Sequence, residues 1–311
     1  MTALSRISRL KLNLSIRVDW RMVFGRGYLS WHRRPKKLEG WKRLPVIDAN
    51  SDYSHVAIVM QGVLDREGQF AFETLRIYKY FFPGAILIVS TWSNTDRKIL
   101  DRISALGVQV VVSDPLLNPA RGNFSRQVET SIQGIHAARS TGAKFVLKVR
   151  ADQRLYSHLS LHNLYAVMKL FPAKSSDGSL KGRIIFPSSN TFIDRILGAT
   201  DFMQFGHIED VQKFWASSLK YDLPEHLTPE QTVTASYLLE LGWARDGLFT
   251  RETWIRAMRE VFGFVDGASL DFFWHKYSMR EYLWRRYDSP PLDEITQAYW
   301  LRIMADEGIS G

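Results

Sequence analysis

The sequence predicts an α/β fold built on a mostly parallel sheet with flanking helices, and three observations carry that prediction. Short apolar runs recur at residues 56–62 (VAIVMQG), 85–92 (AILIVSTW), 108–114 (VQVVVSD) and 144–153 (KFVLKVRADQ). The stretches between them show helical rather than strand periodicity. Strands alternating with helices of this length need crossover connections, which run right-handed and leave the strands parallel.

Taken in order, VAIVMQG reads as a buried strand. Phe72, Leu75, Tyr78 and Phe82 then trace one helical face that Pro83–Gly84 ends. After the strand at 85–92, Ile99, Ile103 and Leu106 mark a second helix, with Asn94 or Thr95 placed to cap it and Gly107 to stop it. Past the strand at 108–114, a loop with Pro115 and Pro119 leads to a long helix from about Ser125 to Arg139. Its apolar stripe is Val128, Ile132, Ile135 and Ala138.

Beyond 153 the pattern is mixed α+β. A helix is expected over 161–171, strands over 183–189 and 200–206, and helices over 208–219 and 229–241. The last 60 residues are aromatic and basic, as in FFWHKYSMREYLWRRY at 272–287. The expected organisation is a basic arm over 1–50, a ligand-binding half over 51–155 and a second half over 156–311 that shapes the other substrate's site.

Composition narrows the class. A hydrophobic share of 45% in 311 residues is enough for a full core. The absence of cysteine excludes disulfides and thiolate metal sites. The net charge of +9 is confined to residues 1–50, where twelve Lys/Arg face only Asp19, Glu39 and Asp48; acids and bases balance over the remainder. Such an arm suits an anionic partner. Trp20, Met22, Phe24, Trp31 and Trp41 interleave with its cations, as in a membrane-interface segment. An arm packed on its own fold, and a nucleic-acid-binding arm, are the alternatives. No run approaches the roughly 20 apolar residues of a spanning helix, and the start lacks the continuous apolar core of a signal peptide. The expected location is the cytoplasm, peripherally on the membrane's inner face.

In an open α/β sheet, ligands bind at the carboxyl ends of the strands. Gln61, Gly62, Thr91, Trp92, Asp114, Asn123, Arg126, Gln127, Lys148, Arg150, Asp152 and Gln153 are therefore expected to converge there. The helix start near Ser125 offers free N–H groups to phosphate, and Arg126 and Arg150 offer the planar fork that phosphate oxygens favour. Asp152 could hold a divalent cation, Mn²⁺ or Mg²⁺, bridging phosphate oxygens. That chemistry points to a nucleotide-sugar glycosyltransferase.

Direct displacement at a sugar also needs a base for the acceptor hydroxyl. Glu230 in LTPEQTVTASYLLELG is one candidate, although Thr228, Pro229 and Gln231 form a capping box in which it would merely complement the helix dipole. Asp201, at the start of the strand expected over 200–206, is the other. Glu209 and Asp210 read as dipole-complementing acids, and His275 as a packed histidine or a diphosphate ligand. His136 and His207 show no ligand spacing. The chain holds no GxGxxG after a strand, no GxxxxGK[ST] and no GxSxG, so dehydrogenase, P-loop and hydrolase readings fall back.

Six segments recur in order: QG at 61–62, STW with Thr91 and Trp92, NxxRQ at 123–127 followed by Ser131 and Gly134, KxRxDQ at 148–153, TDFxxFG at 200–206, and PEQ at 229–231. Together they resemble the WavE lipopolysaccharide synthesis family over about residues 56–245. The resemblance implies a GT-A-like (Rossmann-like) glycosyltransferase acting on a lipopolysaccharide-core, O-antigen or other surface polysaccharide acceptor. Asp152 would match the last acid of a DxD motif, Arg126 and Gln127 would face the nucleotide or diphosphate, and Glu230 would be the base. Arg150 stands where DxD has its first acid, which puts metal dependence in question. A phospho- or nucleotidyltransferase at the same sheet edge, and a nucleic-acid-binding protein led by the arm, are the rival readings. The neutrality of residues 51–311 argues against nucleic acid.

Overall fold

The structure, a computed structural model, describes residues 34–48, 51–65, 68–117, 123–174, 178, 180–275 and 293–306. Strand β1 (Val56–Gln61) is buried at every position, as befits a central parallel strand covered on both faces. Helix α1 (Gln69–Phe81) returns to β2 (Ile86–Trp92), and α2 (Arg97–Ser104) to β3 (Gln109–Ser113). Helix α3 (Asn123–Ser140) leads to β4 (Phe145–Arg150). The chain continues through β5 (Gln153–Leu155), α4 (Ser160–Leu170), β6 (Ile184–Pro187), β7 (Gln204–His207) and α5 (Ile208–Ala216). After α6 (Pro229–Glu240) and α7 (Arg251–Glu260) come β8 (Phe262–Val265), β9 (Phe272–Trp274) and α8 (Gln297–Ala305).

One seven-stranded sheet runs in the order β3-β2-β1-β4-β7-β6-β8. Every neighbour pair is parallel except those made by β7, which is antiparallel to both β4 and β6. Six strands therefore point the same way. The carboxyl ends of β1, β2, β3, β4 and β6 share one edge with the segment that leads into β7. The two halves expected from the sequence contribute to this single sheet.

Close packing fixes α3 against the sheet. A Cβ on Gly134 would lie 2.4 Å from Val59 Cγ1 and 2.9 Å from Ser90 Cβ, so only glycine allows the helix to lie this near β1 and β2. Val128, Ile135 and Ala138 are buried along the same helix, as the predicted stripe requires. At the far side, buried Phe186, Phe262, Phe264, Trp254 and Trp300 form an aromatic cluster. Beside it the fully buried Arg183 donates to the carbonyls of Phe171 (2.7 Å), Phe262 (2.9 Å) and Met258 (3.2 Å), so its charge is spread over backbone dipoles.

Several expected boundaries move. Asp96, not Asn94 or Thr95, caps α2 by accepting from the Lys98 N–H at 2.8 Å. Helix α3 starts two residues before Ser125. The expected strand over 144–153 breaks after Arg150 at a turn, and β5 leaves to pair with β9 in a separate two-stranded sheet. Asp201 does not begin a strand; only Gln204–His207 is extended, and residues 200–203 approach it as irregular chain. Asp210 faces inward and accepts from the Lys181 and Gly182 N–H groups, so it holds a neighbouring loop rather than serving the helix dipole.

Of the basic arm, residues 34–48 pack on the fold. Leu38, Trp41 and Ile47 lie against the core, with Trp41 5.8 Å from the rings of Phe81 and Tyr156. Buried Arg154 reaches the Lys36 carbonyl at 2.9 Å, and Arg34 pairs with Asp271. The helix or strand expected over 4–18, with Trp20, Met22, Phe24 and Trp31, lies outside the described residues, as do residues 276–287 of the aromatic stretch.

Candidate active site

A cavity of about 790 Å³ opens at the shared edge of the sheet. Its wall includes Gln61 and Gly62 after β1, Trp92 after β2, Pro115 after β3, Asn123, Arg126 and Gln127 on the first turn of α3, and Arg150 and Asp152 after β4. The convergence expected from strand–loop–helix geometry is therefore present. Gln61 is held by Thr130, whose hydroxyl donates to its Oε1 at 2.8 Å. Gly62 adopts φ 113°, a conformation disfavoured for any side chain, and a Cβ there would meet nothing within 4 Å. Backbone thus borders open space at this point. Arg126, exposed, donates to Asn123 Oδ1 of its own helix in a long contact of 3.4 Å.

The turn after β4 is tightly organised. Arg150 clasps the Asp152 carboxylate through two parallel bonds, Nε to Oδ1 at 3.1 Å and Nη2 to Oδ2 at 3.2 Å. Pairing of β5 with β9 sets Gln153 opposite Trp274. It also brings the Trp274 indole N–H to Asp152 Oδ2 at 2.9 Å, while the His275 N–H donates to the Asp152 carbonyl at 2.8 Å. Burial raises the Asp152 pKa, but the Arg150 charge and these hydrogen bonds outweigh it, and the carboxyl titrates below the ordinary aspartate range. The His275 ring stacks on Phe70 with centroids 4.4 Å apart, which favours its packed reading.

Four of the expected residues do not line the cavity: Asp114 accepts from the Ser93 hydroxyl at 2.8 Å, and the other three are buried. Lys148 is fully buried; its ammonium donates to the Asp201 carbonyl at 2.7 Å and sits 4.2 Å above the Trp215 ring. Thr91 is buried with its hydroxyl 3.2 Å from that of Thr95. Gln153 is buried too, and its Oε1 accepts the Arg150 N–H at 3.3 Å. Thr91 and Gln153 adjoin the wall residues Trp92 and Asp152, and strand alternation and the β4–β5 break carry their side chains inward, whereas Lys148 lies two positions short of the strand end, where it pairs with Gln204 of β7 and meets Trp215.

Neither candidate base lines the cavity, and only Asp201 is tied directly to its wall. Gln127, a wall residue, donates to the Asp201 carbonyl at 3.1 Å. Burial raises the Asp201 carboxyl above its usual range and the nearby Glu230 charge raises it further, with Lys148 and Arg150 opposing. Burial likewise lowers the Lys148 ammonium well below a normal lysine. Glu230 does sit in the expected capping box, formed by Thr228 and Gln231 in both directions. Its own side chain is buried, however, accepting from Asn190 Nδ2 at 2.8 Å with Arg195 Nη1 at 3.7 Å. Burial lowers the Arg195 pKa, against the pull of Glu230 and Asp201. A carboxylate spent only on a helix dipole would have stayed in solvent.

The donor set does not suit a resident Mn²⁺ or Mg²⁺. One or two carboxylates can hold such an ion when phosphate oxygens complete the shell, but both oxygens of Asp152 are engaged by Arg150, and one also by Trp274. Among the described residues, no group of three or more His, Asp or Glu side chains is placed to hold a metal ion.

Sequence reasoning missed Asn190 and Arg195, which sit in an irregular segment between β6 and β7, and Trp274, whose role depends on the β5–β9 pairing. Asp65 and Asp96 also line the cavity. Their turn context signals helix caps, and Asp65 does accept from the Gln69 N–H at 2.9 Å.

Fold and cavity together define an α/β protein with a cavity at the carboxyl edge of a mostly parallel sheet. The sequence profile of the WavE lipopolysaccharide synthesis family matches residues 56–238, a span that holds every residue of the cavity wall. The chain belongs to that family, which ties it to lipopolysaccharide synthesis as an enzyme. Among curated proteins, none matches by sequence. Among solved structures, 4-diphosphocytidyl-2C-methyl-D-erythritol synthase aligns at 14% identity and TM-score 0.36, over 61% of this chain and 86% of that one. That likeness is too slight to argue from. No helix among the described residues is long and apolar enough to cross a membrane.

Proposed function

We propose that the protein is a glycosyltransferase of GT-A type. It moves a sugar from a nucleoside-diphosphate donor to a lipopolysaccharide-core, O-antigen or related lipid-linked acceptor. The observation that carries this reading is the cavity of about 790 Å³, whose wall brings Arg126 and Arg150 together at a helix N-terminus. Its volume falls in the range of small-molecule sites, and its cations suit a diphosphate.

In this reading the acceptor approaches from the Asp201–Glu230 side. Its hydroxyl oxygen attacks the anomeric carbon as the carbon–oxygen bond to the diphosphate breaks, and the bonding pair leaves with the phosphate. Glu230 takes the hydroxyl proton, with Asp201 the alternative base. Arg126, Arg150 and the first amides of α3 stabilise the charge growing on the leaving group. Most of the acceleration comes from alignment and from such preorganised electrostatics. The protein works on the cytoplasmic side, where residues 1–33 hold it to anionic membrane.

The test is incubation with UDP-, GDP- and dTDP-sugars and a lipopolysaccharide-core acceptor. Release of a nucleoside diphosphate coupled to a mass gain on the acceptor supports the reading. Transfer of a phosphoryl or nucleotidyl group, with the sugar left on its phosphate, overturns it.

A further inference from the structure

We propose that this site binds the diphosphate of its substrate without a divalent cation, because Arg150 fills from within the chain the place a metal would take. The inference deepens the proposed function and rests on it. Two observations carry it independently of each other.

The first is that the cavity's acids are spent. Asp152 faces Arg150 through both oxygens and Trp274 through one. Asp65 accepts the N–H groups that open α1, and Asp96 accepts the Lys98 N–H at the start of α2. A dication brought to Asp152 would have to displace a two-point ion pair and then sit against the displaced guanidinium, a repulsion that the half-buried setting strengthens. The second is that positive charge is already in place. Exposed Arg126 stands on the first turn of α3, Arg150 stands on the neighbouring strand, and both line the same cavity together with Asn123 and Gln127. Arginine binds phosphate oxygens through a planar fork at any cation concentration. Asp152 in this arrangement is a positioning residue: it aims the Arg150 guanidinium.

Calorimetric titration of the full chain with UDP, GDP, CDP and dTDP, in excess EDTA and then in excess Mn²⁺, decides the matter. At least one diphosphate is expected to bind in EDTA with a Kd within about threefold of its value in Mn²⁺. Arg126→Met, an exposed change with little hold on the fold, weakens binding in EDTA roughly 10- to 100-fold. Arg150→Met loses at least as much and recovers part of it with Mn²⁺, since Asp152 is then released to the ion; circular dichroism establishes that this variant is folded. Binding in Mn²⁺ that vanishes in EDTA overturns the inference and leaves the glycosyltransferase reading intact. Arg126→Met and Arg150→Met binding like the parent in EDTA overturns it too. If none of the four diphosphates binds in either condition, the proposed function falls with it.

Discussion

The Asn190 amide donates to Glu230 Oε1 at 2.8 Å, so a residue just past β6 orients the carboxylate on the first turn of α6. Asn190 does so from the left-handed region, at φ 63°, where asparagine is among the few non-glycine residues at ease. Glu230→Gln keeps the volume and the contact but removes the base. Its kcat is expected to fall by about 10²- to 10⁴-fold with donor Kd unchanged. Full turnover in this variant would move the role to Asp201.

Asn190→Gly retains the backbone conformation and drops only the amide. Turnover should fall by a smaller factor, about tenfold, as Glu230 loses its orientation. Asn190→Asp, which sets a like charge beside Glu230, should be worse than glycine at neutral pH and nearer to it in acid. An aspartate variant that matches asparagine across the pH range would show that this contact is only structural.

Asp210 gives a stability signature. Burial pushes its carboxyl up to about 6, despite the N–H donors of Lys181 and Gly182. In the unfolded chain it titrates near the ordinary value, about 3.9. Between those two values the folded protein holds a proton that the unfolded chain has lost, so this contribution is complete below about pH 4 and is lost as pH rises to about 6. Asp210→Asn keeps an acceptor for both N–H groups and has no charge to bury. Urea titrations should show it gaining on the parent between pH 4 and 7, by an amount on the order of 2–3 kcal/mol. A gap that stays constant with pH would refute the assignment.

Gly134→Ala tests how the site is set on the sheet. Its methyl would overlap Val59 and Ser90, so α3 must lift from β1 and β2 at a cost of about 1–3 kcal/mol. Asn123, Arg126 and Gln127 ride on the same helix. Nucleoside-diphosphate affinity should therefore drop although residue 134 is not itself on the cavity wall. Unchanged affinity in a destabilised variant would show that the first turn is held locally.

Residues 1–33 hold seven Lys/Arg against Asp19 alone. Deleting them should abolish sedimentation with vesicles of anionic phospholipid. High salt should release the full chain in the same way. Equal vesicle binding by both forms would end the membrane assignment.

The parallel half of the fold was legible because its signals are local: unbroken apolar runs for strands buried on both faces, glycines at turns, and one long periodic helix. The cavity wall followed from topology, since whatever ends a parallel strand meets whatever begins the next helix. Side-chain direction was the first point of failure. Lys148 lies on a strand that closes at Arg150, and nothing in its neighbours says that it turns to Trp215 and the Asp201 carbonyl. The Arg150–Asp152 pair was equally hidden, because a carboxylate and an arginine spaced two apart do not announce that they will clasp each other. Glu230 carried two meanings in one capping box, and only its burial beside Asn190 separates them. Trp274 depends on a partner 122 residues away along the chain, and Arg195 on Glu230, beyond the next strand and helix, which no periodicity encodes.

The single reversed strand, β7, has a larger consequence than its four residues suggest. With every strand parallel, each loop on this rim would be one the chain traverses on its way out of the sheet. Reversing one strand admits an inbound segment, residues 200–203, to the same rim, between outbound segments from β4 and β6. The cavity wall and the Asp201–Glu230 cluster are thereby written in separate stretches of sequence that meet where Gln127 donates to the Asp201 carbonyl. In the proposed transferase, variation in one stretch would retune the acceptor while the rim that holds phosphate is inherited unaltered, a division of labour suited to enzymes that decorate variable cell surfaces.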